Sequence, residues 1–364
     1  MGAACCERRA AELAAQQAAQ GGQQHGDDGM TEPDGVMGWA STVLTSLTSL
    51  AAELSPTPSE WPRWAWVCVG LWVLTSCYFL LFAMAMYLQE LKSYGGASRV
   101  SLPKMLAFSL TWMNGSLLSS VLVSPDLLLG RRERAARNVH YYGSLMGQFM
   151  FRILSKPPVV IGIENLPPDG DKGMVYVSNH QTSVDIALFY YIGAERRFSW
   201  VSKSTVFLIP GVGLLMKIAG YVALTRGNRN SVKKMFDDCK ERLAAGWSVM
   251  IFPQGTRRRL KVLDFKDGAF QLAIDSNSVV VPFTLDLPEN LFHGPRQRTK
   301  ITVHKPIRPG DPEFKDVATL RKHCFDTVMG ALPYAQGMLE EQKKQKEAAE
   351  AAAAGAPLET KKTK

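Results

Sequence analysis

The chain has 364 residues, 46% of them apolar and 21% charged, and a mean hydropathy near zero. That suffices for one large domain or two ordinary ones with a real core, and it excludes a disordered chain, a collagen-like chain and a polytopic transporter. Residues 1–60 carry two Arg against eight Asp or Glu, so a net charge of +9 leaves +15 on the remainder. A basic body fits an anionic partner: phosphate groups, a membrane surface or nucleic acid.

Residues 1–35 are rich in Ala, Gln and Gly without a burying period, and residues 1–60 are read as a flexible tail. No apolar h-region follows the first charges, so the tail is not a signal peptide, and its acidic residues make a poor transit peptide. Met1-Gly2-Ala3-Ala4-Cys5-Cys6 is similar to an acylation site but lacks Ser or Thr at position 6. The six cysteines form neither a zinc spacing nor a disulfide framework, which points to a reducing, cytosol-facing body.

Residues 61–130 hold the membrane segments. Trp64 to Gln89 is a run of 26 uncharged residues with interfacial aromatics, longer than the roughly 20 needed to span a bilayer. A second uncharged run, Met105 to Pro125, is richer in Ser and either crosses or lies in the interface. Arg131, Arg132, Arg134 and Arg137 follow it and place the next segment on the cytosolic side.

Residues 131–335 read as an α/β domain. Short β-rich runs appear at Val159–Ile163, Met174–Ser178, Phe198–Ser202, Tyr221–Leu224, Ser248–Phe252, Val279–Leu285 and Ile301–His304, with helical stretches such as Ser231–Ala245 and Gly268–Ser276 between them. Residues 336–364 are a Glu-, Lys- and Ala-rich helical tail ending in Lys361-Lys362-Thr363-Lys364, which resembles a dilysine retrieval signal and also reads as a plain Lys-rich tail.

The chain has no Walker loop, nucleophile elbow, H-E-x-x-H or complete G-x-G-x-x-G. His180 follows a predicted strand, with Asp185 five residues on. If a helix begins near residue 182, its first turn returns Asp185 towards His180 Nδ1 and leaves Nε2 to take a proton, which activates a substrate hydroxyl without a protein nucleophile. Chance also produces such a spacing, and a loop histidine is the bland alternative. Phe252-Pro253-Gln254-Gly255-Thr256-Arg257-Arg258-Arg259 turns off another strand, where Gly permits a tight turn and Arg binds phosphate bidentately; a charged hairpin exit reads equally well. Lys203 and Arg226, each after a strand, read singly as surface charges.

Together these segments resemble the glycerolipid acyltransferases, and within them the 1-acyl-sn-glycerol-3-phosphate (lysophosphatidic acid) acyltransferase family. The first motif, N-H-x4-D, is present as Asn179, His180 and Asp185; the second as Lys203, Pro210, Gly213, Gly220 and Arg226. The third, F-P-E-G-T-R, appears as Phe252 to Arg257, the fourth as Val280-Val281-Pro282, and Phe265 to Phe270 is similar to the segment between them. The resemblance covers roughly residues 130–310. Gln254 replaces the family's Glu, and Thr225 stands where an acidic or amide residue is usual. Gln keeps the length and one acceptor oxygen while removing the charge.

The resemblance implies an α/β fold with a mixed sheet flanked by helices, preceded by N-terminal membrane helices. It implies acyl transfer to the sn-2 hydroxyl of lysophosphatidic acid, with acyl-CoA as co-substrate and neither cofactor nor metal. His180 is then the base and Asp185 its orienter. Lys203, Arg226, Gly255, Thr256 and Arg257 bind substrate, and Asn179, Pro253, Gln254 and Pro282 support them. The expected partners are acyl-CoA, lysophosphatidic acid and a lipid bilayer, with no nucleic acid. The expected location is the endoplasmic reticulum membrane facing the cytosol, or a plastid membrane. The alternatives are a glycerol 3-phosphate or other lysophospholipid acyltransferase, and a catalytically silent membrane-anchored lipid-binding member of the fold.

Overall fold

The computed structural model describes residues 62–94, 101–154, 156–193, 196–209, 211–257, 262–288, 298–341 and 344–345. The N-terminal tail, Pro210, Arg258, Arg259 and the terminal lysines lie outside the described residues. The chain divides into units Met1–Tyr78 and Phe79–Lys364. In the first, the described part is the start of helix α1 (Arg63–Tyr94), where Trp64, Trp66, Val67, Leu71 and Leu74 are exposed. Its apolar stretch and that of α2 (Leu102–Leu128) are each long enough to cross a membrane.

Helix α2 starts with Pro near its first position, where a missing N–H costs nothing. Its Ser-rich composition is compatible with a dry helix because Ser116, Ser119 and Ser120 donate to the carbonyls of Trp112, Gly115 and Ser116 at 2.7–2.9 Å. One side buries Met105, Phe108, Met113 and Val123; another exposes Leu118, Val121 and Leu122. Helix α3 (Arg132–Leu154) grows out of the basic cluster, and Asn138 on it donates to Asp126 at 2.7 Å.

Among the described residues, seven strands make one mixed sheet in the order β1-β7-β6-β2-β5-β3-β4: β1 (Val159–Ile161), β2 (Val175–Ser178), β3 (Phe198–Lys203), β4 (Val222–Leu224), β5 (Ser248–Ile251), β6 (Val280–Asp286) and β7 (Lys300–Val303). Every pairing is parallel except β6 with β7. The predicted runs fall on these strands with shifted ends. The first stops at Ile161 because Gly162 takes φ +71 and lies against the Val303 carbonyl, where a Cβ would sit 2.4 Å from oxygen.

Side-chain alternation divides the core into two layers. Tyr176, Phe198, Trp200, Met250 and Phe283 join one cluster with α4 (Val184–Tyr190) and with Met105, Phe108 and Met150 from α2 and α3. Val175, Val177 and Val249 join another with α6 (Arg229–Ala244), α7 (Gly268–Ser276) and α8 (Val317–Gly330). Helix α5 (Val212–Ile218) packs its Leu215 with Val123 and Val139. At the sheet's edge His140 of α3 is buried among Phe198, Tyr221, Trp247 and Tyr190, with ring centroids 4.5–6.1 Å away. Neither of its ring nitrogens has a partner among the described residues, and burial, aided by nearby Arg242, holds its pKa down to about 3.

Candidate active site

Strands β2 and β5 are parallel neighbours whose connections leave in opposite directions: β2 continues through α4 to β3, and β5 through α7 to β6. Helices α4 and α7 belong to the two different core layers, so a crevice opens beyond the carboxyl ends of these strands. The first and third motifs both fall there.

Beyond Ser178 the chain leaves the ladder, and side chains take over its hydrogen bonding. Asn179 acts as a substitute rung: its Nδ2 donates to Leu285 O at 2.8 Å, and its Oδ1 accepts from Leu285 N–H at 2.8 Å. Gln181 Nε2 donates to the same carbonyl at 2.6 Å. The first turn of α4 brings Asp185 back, fully buried, with Oδ2 accepting the N–H groups of Gln181 at 2.6 Å and Thr182 at 3.0 Å. His180 Nδ1 lies 2.6 Å from that oxygen. An acceptor already receiving two N–H groups makes Nδ1 the proton-bearing nitrogen, which leaves Nε2 with a lone pair. The His180 side chain keeps 16% exposure, so the imidazole reaches the crevice while its partner does not.

After β5, Phe252 to Gly255 form a turn closed by Gly255 N–H donating to Phe252 O at 2.9 Å, and Lys266 N–H donates to Pro253 O at 3.0 Å. Gly255 has φ +69, which disfavours any side chain. Gln254 is buried, and its Oε1 accepts the His180 N–H at 2.7 Å. The Phe252 ring lies parallel to the imidazole, with centroids 3.9 Å apart and planes 7° apart. Pro282 pairs with Val177 in the β2–β6 register, and its carbonyl accepts from His304 N–H at the end of the β6–β7 ladder. A residue without an N–H is tolerated there because the antiparallel pairing stops.

The proposed cation set spreads along the same sheet edge. Arg257 follows β5, next to β2; Lys203 ends β3, one strand further; Arg226 follows β4, at the margin. With about 5 Å between strands, the backbones of Lys203 and Arg226 stand roughly 10 and 15 Å from that of β2. Thr256, Lys203 and Arg226 are exposed. Thr225 donates from its N–H to Ser231 Oγ at 2.8 Å, and its hydroxyl meets Ser204 Oγ at 2.9 Å, so this departure from the family pattern joins β4 to the end of β3. The sequence reading missed the ties of Gln181 to Leu285 and of Gln254 to His180, and the stacking role of Phe252. Phe252 and Gln254 were visible as motif residues, but their partner was not. Lys266 also lies over the turn, its Nζ 3.3 Å from where a Cβ on Gly255 would be. Among the described residues no three His, Cys, Asp or Glu side chains converge on a metal-sized site.

Residues 158–286 match the family model described as Acyltransferase, so the domain carrying this crevice is an acyltransferase domain. The chain is 39% identical over 181 residues to a 1-acyl-sn-glycerol-3-phosphate acyltransferase of Chlamydomonas reinhardtii, covering 48% of this chain and 52% of that one. It is 38% identical over 156 residues to a chloroplastic 1-acyl-sn-glycerol-3-phosphate acyltransferase of Arabidopsis thaliana, covering 40% and 42%. The match thus spans about half the length of these curated relatives. The crystal structure of the 1-acyl-sn-glycerophosphate (LPA) acyltransferase PlsC from Thermotoga maritima superposes with a TM-score of 0.45 at 24% identity, covering 62% of this chain and 95% of that one. Over the matched stretches the chain is similar to 1-acyl-sn-glycerol-3-phosphate acyltransferases, and residues 158–286 carry the Acyltransferase family match.

Proposed function

We propose that this protein transfers a fatty acyl group from acyl-CoA to the sn-2 hydroxyl of 1-acylglycerol 3-phosphate, giving phosphatidic acid and free CoA. The observation that carries the reading is the 2.6 Å contact between His180 Nδ1 and Asp185, beside the turn that holds Arg257. Nε2 takes the hydroxyl proton as the oxygen attacks the thioester carbonyl. Main-chain N–H groups of the two loops receive the developing oxyanion. When the intermediate collapses, the C–S bond breaks and the thiolate recovers the proton from His180, so the base is regenerated.

Arg257 is the first contact of the acceptor phosphate, because its strand adjoins β2. Lys203 and Arg226 reach the phosphate with extended side chains from further along the edge. No cofactor is required. Residues 131–335 form the acyltransferase domain, anchored by α1 and by the outward face of α2 in the endoplasmic reticulum membrane, with the domain in the cytosol. The chloroplastic relative makes a plastid membrane the other location to test.

Purified protein in mixed micelles, offered lysophosphatidate, glycerol 3-phosphate and lysophosphatidylcholine with labelled acyl-CoA or acyl carrier protein, tests the assignment. Label entering phosphatidic acid from acyl-CoA is expected. Turnover of a different acceptor, transfer only from the carrier protein, or none at all overturns it. Arg257→Ala raises the acceptor KM by at least about tenfold, the loss of a charge-assisted phosphate contact.

A further inference from the structure

We infer that the turn after β5 is a positioning element for His180, working through the ring of Phe252 and the amide of Gln254; this rests on the base role proposed for His180. Asp185 holds the imidazole at one atom, and a ring held at one atom still pivots about that bond. The backbone of His180 has also left the β2 ladder, and although the side chains of Asn179 and Gln181 tie its flanks to Leu285, the His180 N–H has no ladder partner. Two contacts remove these freedoms. Gln254 Oε1 takes the His180 N–H at 2.7 Å, and Phe252 closes one face of the imidazole at 3.9 Å and 7°. Phe252 is itself backed by Trp200, with centroids 5.5 Å apart and planes at 27°.

Both contacts come from a turn whose shape is fixed independently, by the Gly255–Phe252 and Lys266–Pro253 hydrogen bonds. The same turn leads into Arg257. One turn therefore steadies the base through Gln254 and Phe252 and carries Arg257 itself. The task at position 254 needs a single acceptor oxygen, which explains how Gln serves where the family has Glu: the charge is dispensable for this bond, and the lone pair is not. At position 252 the task needs a flat ring.

The test separates geometry from acceptor binding. Gln254→Leu and Phe252→Leu lower kcat about 10²-fold, the cost of misplacing a reacting group by around 1 Å, while the acceptor KM stays within about threefold. Gln254→Glu and Phe252→Tyr restore kcat to within about tenfold of wild type. If a leucine variant does not fold, Gln254→Met, which keeps the chain length without the acceptor, replaces it. Leucine variants with wild-type kcat overturn the inference, as do Glu and Tyr variants damaged as much as the leucine ones. His180→Ala in the same assay reports on the base role separately. Where wild type has no turnover, or His180→Ala keeps it, the rate of His180 carbethoxylation by diethyl pyrocarbonate decides, read by peptide mass spectrometry. A several-fold faster modification in the leucine variants supports a ring set free, and an unchanged rate overturns it.

Discussion

In the proposed mechanism His180 and Asp185 divide one proton-transfer task between a reactive nitrogen and a buried oxygen, and substitutions at the two positions are expected to fail differently. His180→Ala removes the proposed base and is expected to lower acyl transfer by about 10²–10⁴-fold while the protein stays in the membrane fraction. Asp185→Asn keeps the shape but turns an acceptor into a group that also donates. Nδ1 loses its reason to carry the proton, and the rate falls strongly at unchanged acceptor KM. Near-wild-type rates for either variant contradict the base assignment. His140 makes a different residue-scale prediction. Unfolded, its imidazole titrates near 6.5; folded, burial holds it to about 3. Between these values the unfolded chain binds a proton that the folded one refuses. Its contribution to stability is full above pH 6.5 and is lost as pH falls, by about 1.4 kcal/mol per unit. Thermal melting in detergent at pH 7 and pH 5 checks this: wild type loses more than His140→Phe, and parallel losses would contradict the partnerless ring.

At the scale of elements, the loop after β2 is held to β6 by side chains instead of a ladder. Asn179 both donates to and accepts from Leu285, and Gln181 adds a bond to the same carbonyl. Asn179→Leu strips both groups of Leu285 of their partner on that side chain, although Gln181 still reaches the carbonyl. The cost is on the order of 2–3 kcal/mol, mostly from the buried N–H, and a lower denaturation midpoint with an equal slope measures it. Activity falls too, because His180 is the next residue. An unchanged midpoint would mean that the loop is fixed elsewhere.

At the scale of the whole molecule, the proposed membrane site of the reaction rests on a basic body and two long apolar helices. The proposed acyl substrates partition into lipid, and a net +15 beyond residue 60 suits a surface of anionic headgroups. Helix α1, 32 residues long, is about 48 Å from end to end, more than the hydrocarbon core. The protein therefore stays with membranes in high salt and in alkaline carbonate and leaves only with detergent. Release by salt would show that charge alone holds it, and release by carbonate would contradict a spanning α1. Helix α2 is different: its Met105, Phe108 and Met113 are core residues, and its Leu118, Val121 and Leu122 are open. Aspartate at Leu118 and Leu122 weakens vesicle binding of that face with little effect on melting, because no core contact is removed.

Much of this was legible in the residues themselves. Short β-rich runs separated by helical stretches announce an α/β domain, because helices between strands cover both faces of a sheet. The N-H-x4-D spacing places Asp185 back on His180, because one turn of helix closes the gap. Local signals of this kind depend only on residues a few positions apart. Other features were decided by tertiary structure. Strand order brought β5 beside β2 and put Gln254 on the His180 N–H across 74 residues; the same order spread Lys203 and Arg226 outward along the edge. Asn179 meets Leu285 across 106 residues for the same reason. The basic cluster at 131–137 opens an amphipathic helix whose His140 ends in an aromatic pocket. Hydrogen bonds and stacking act over a few ångströms, so their partners are set by which strands become neighbours, and that follows from how the whole sheet buries its two faces.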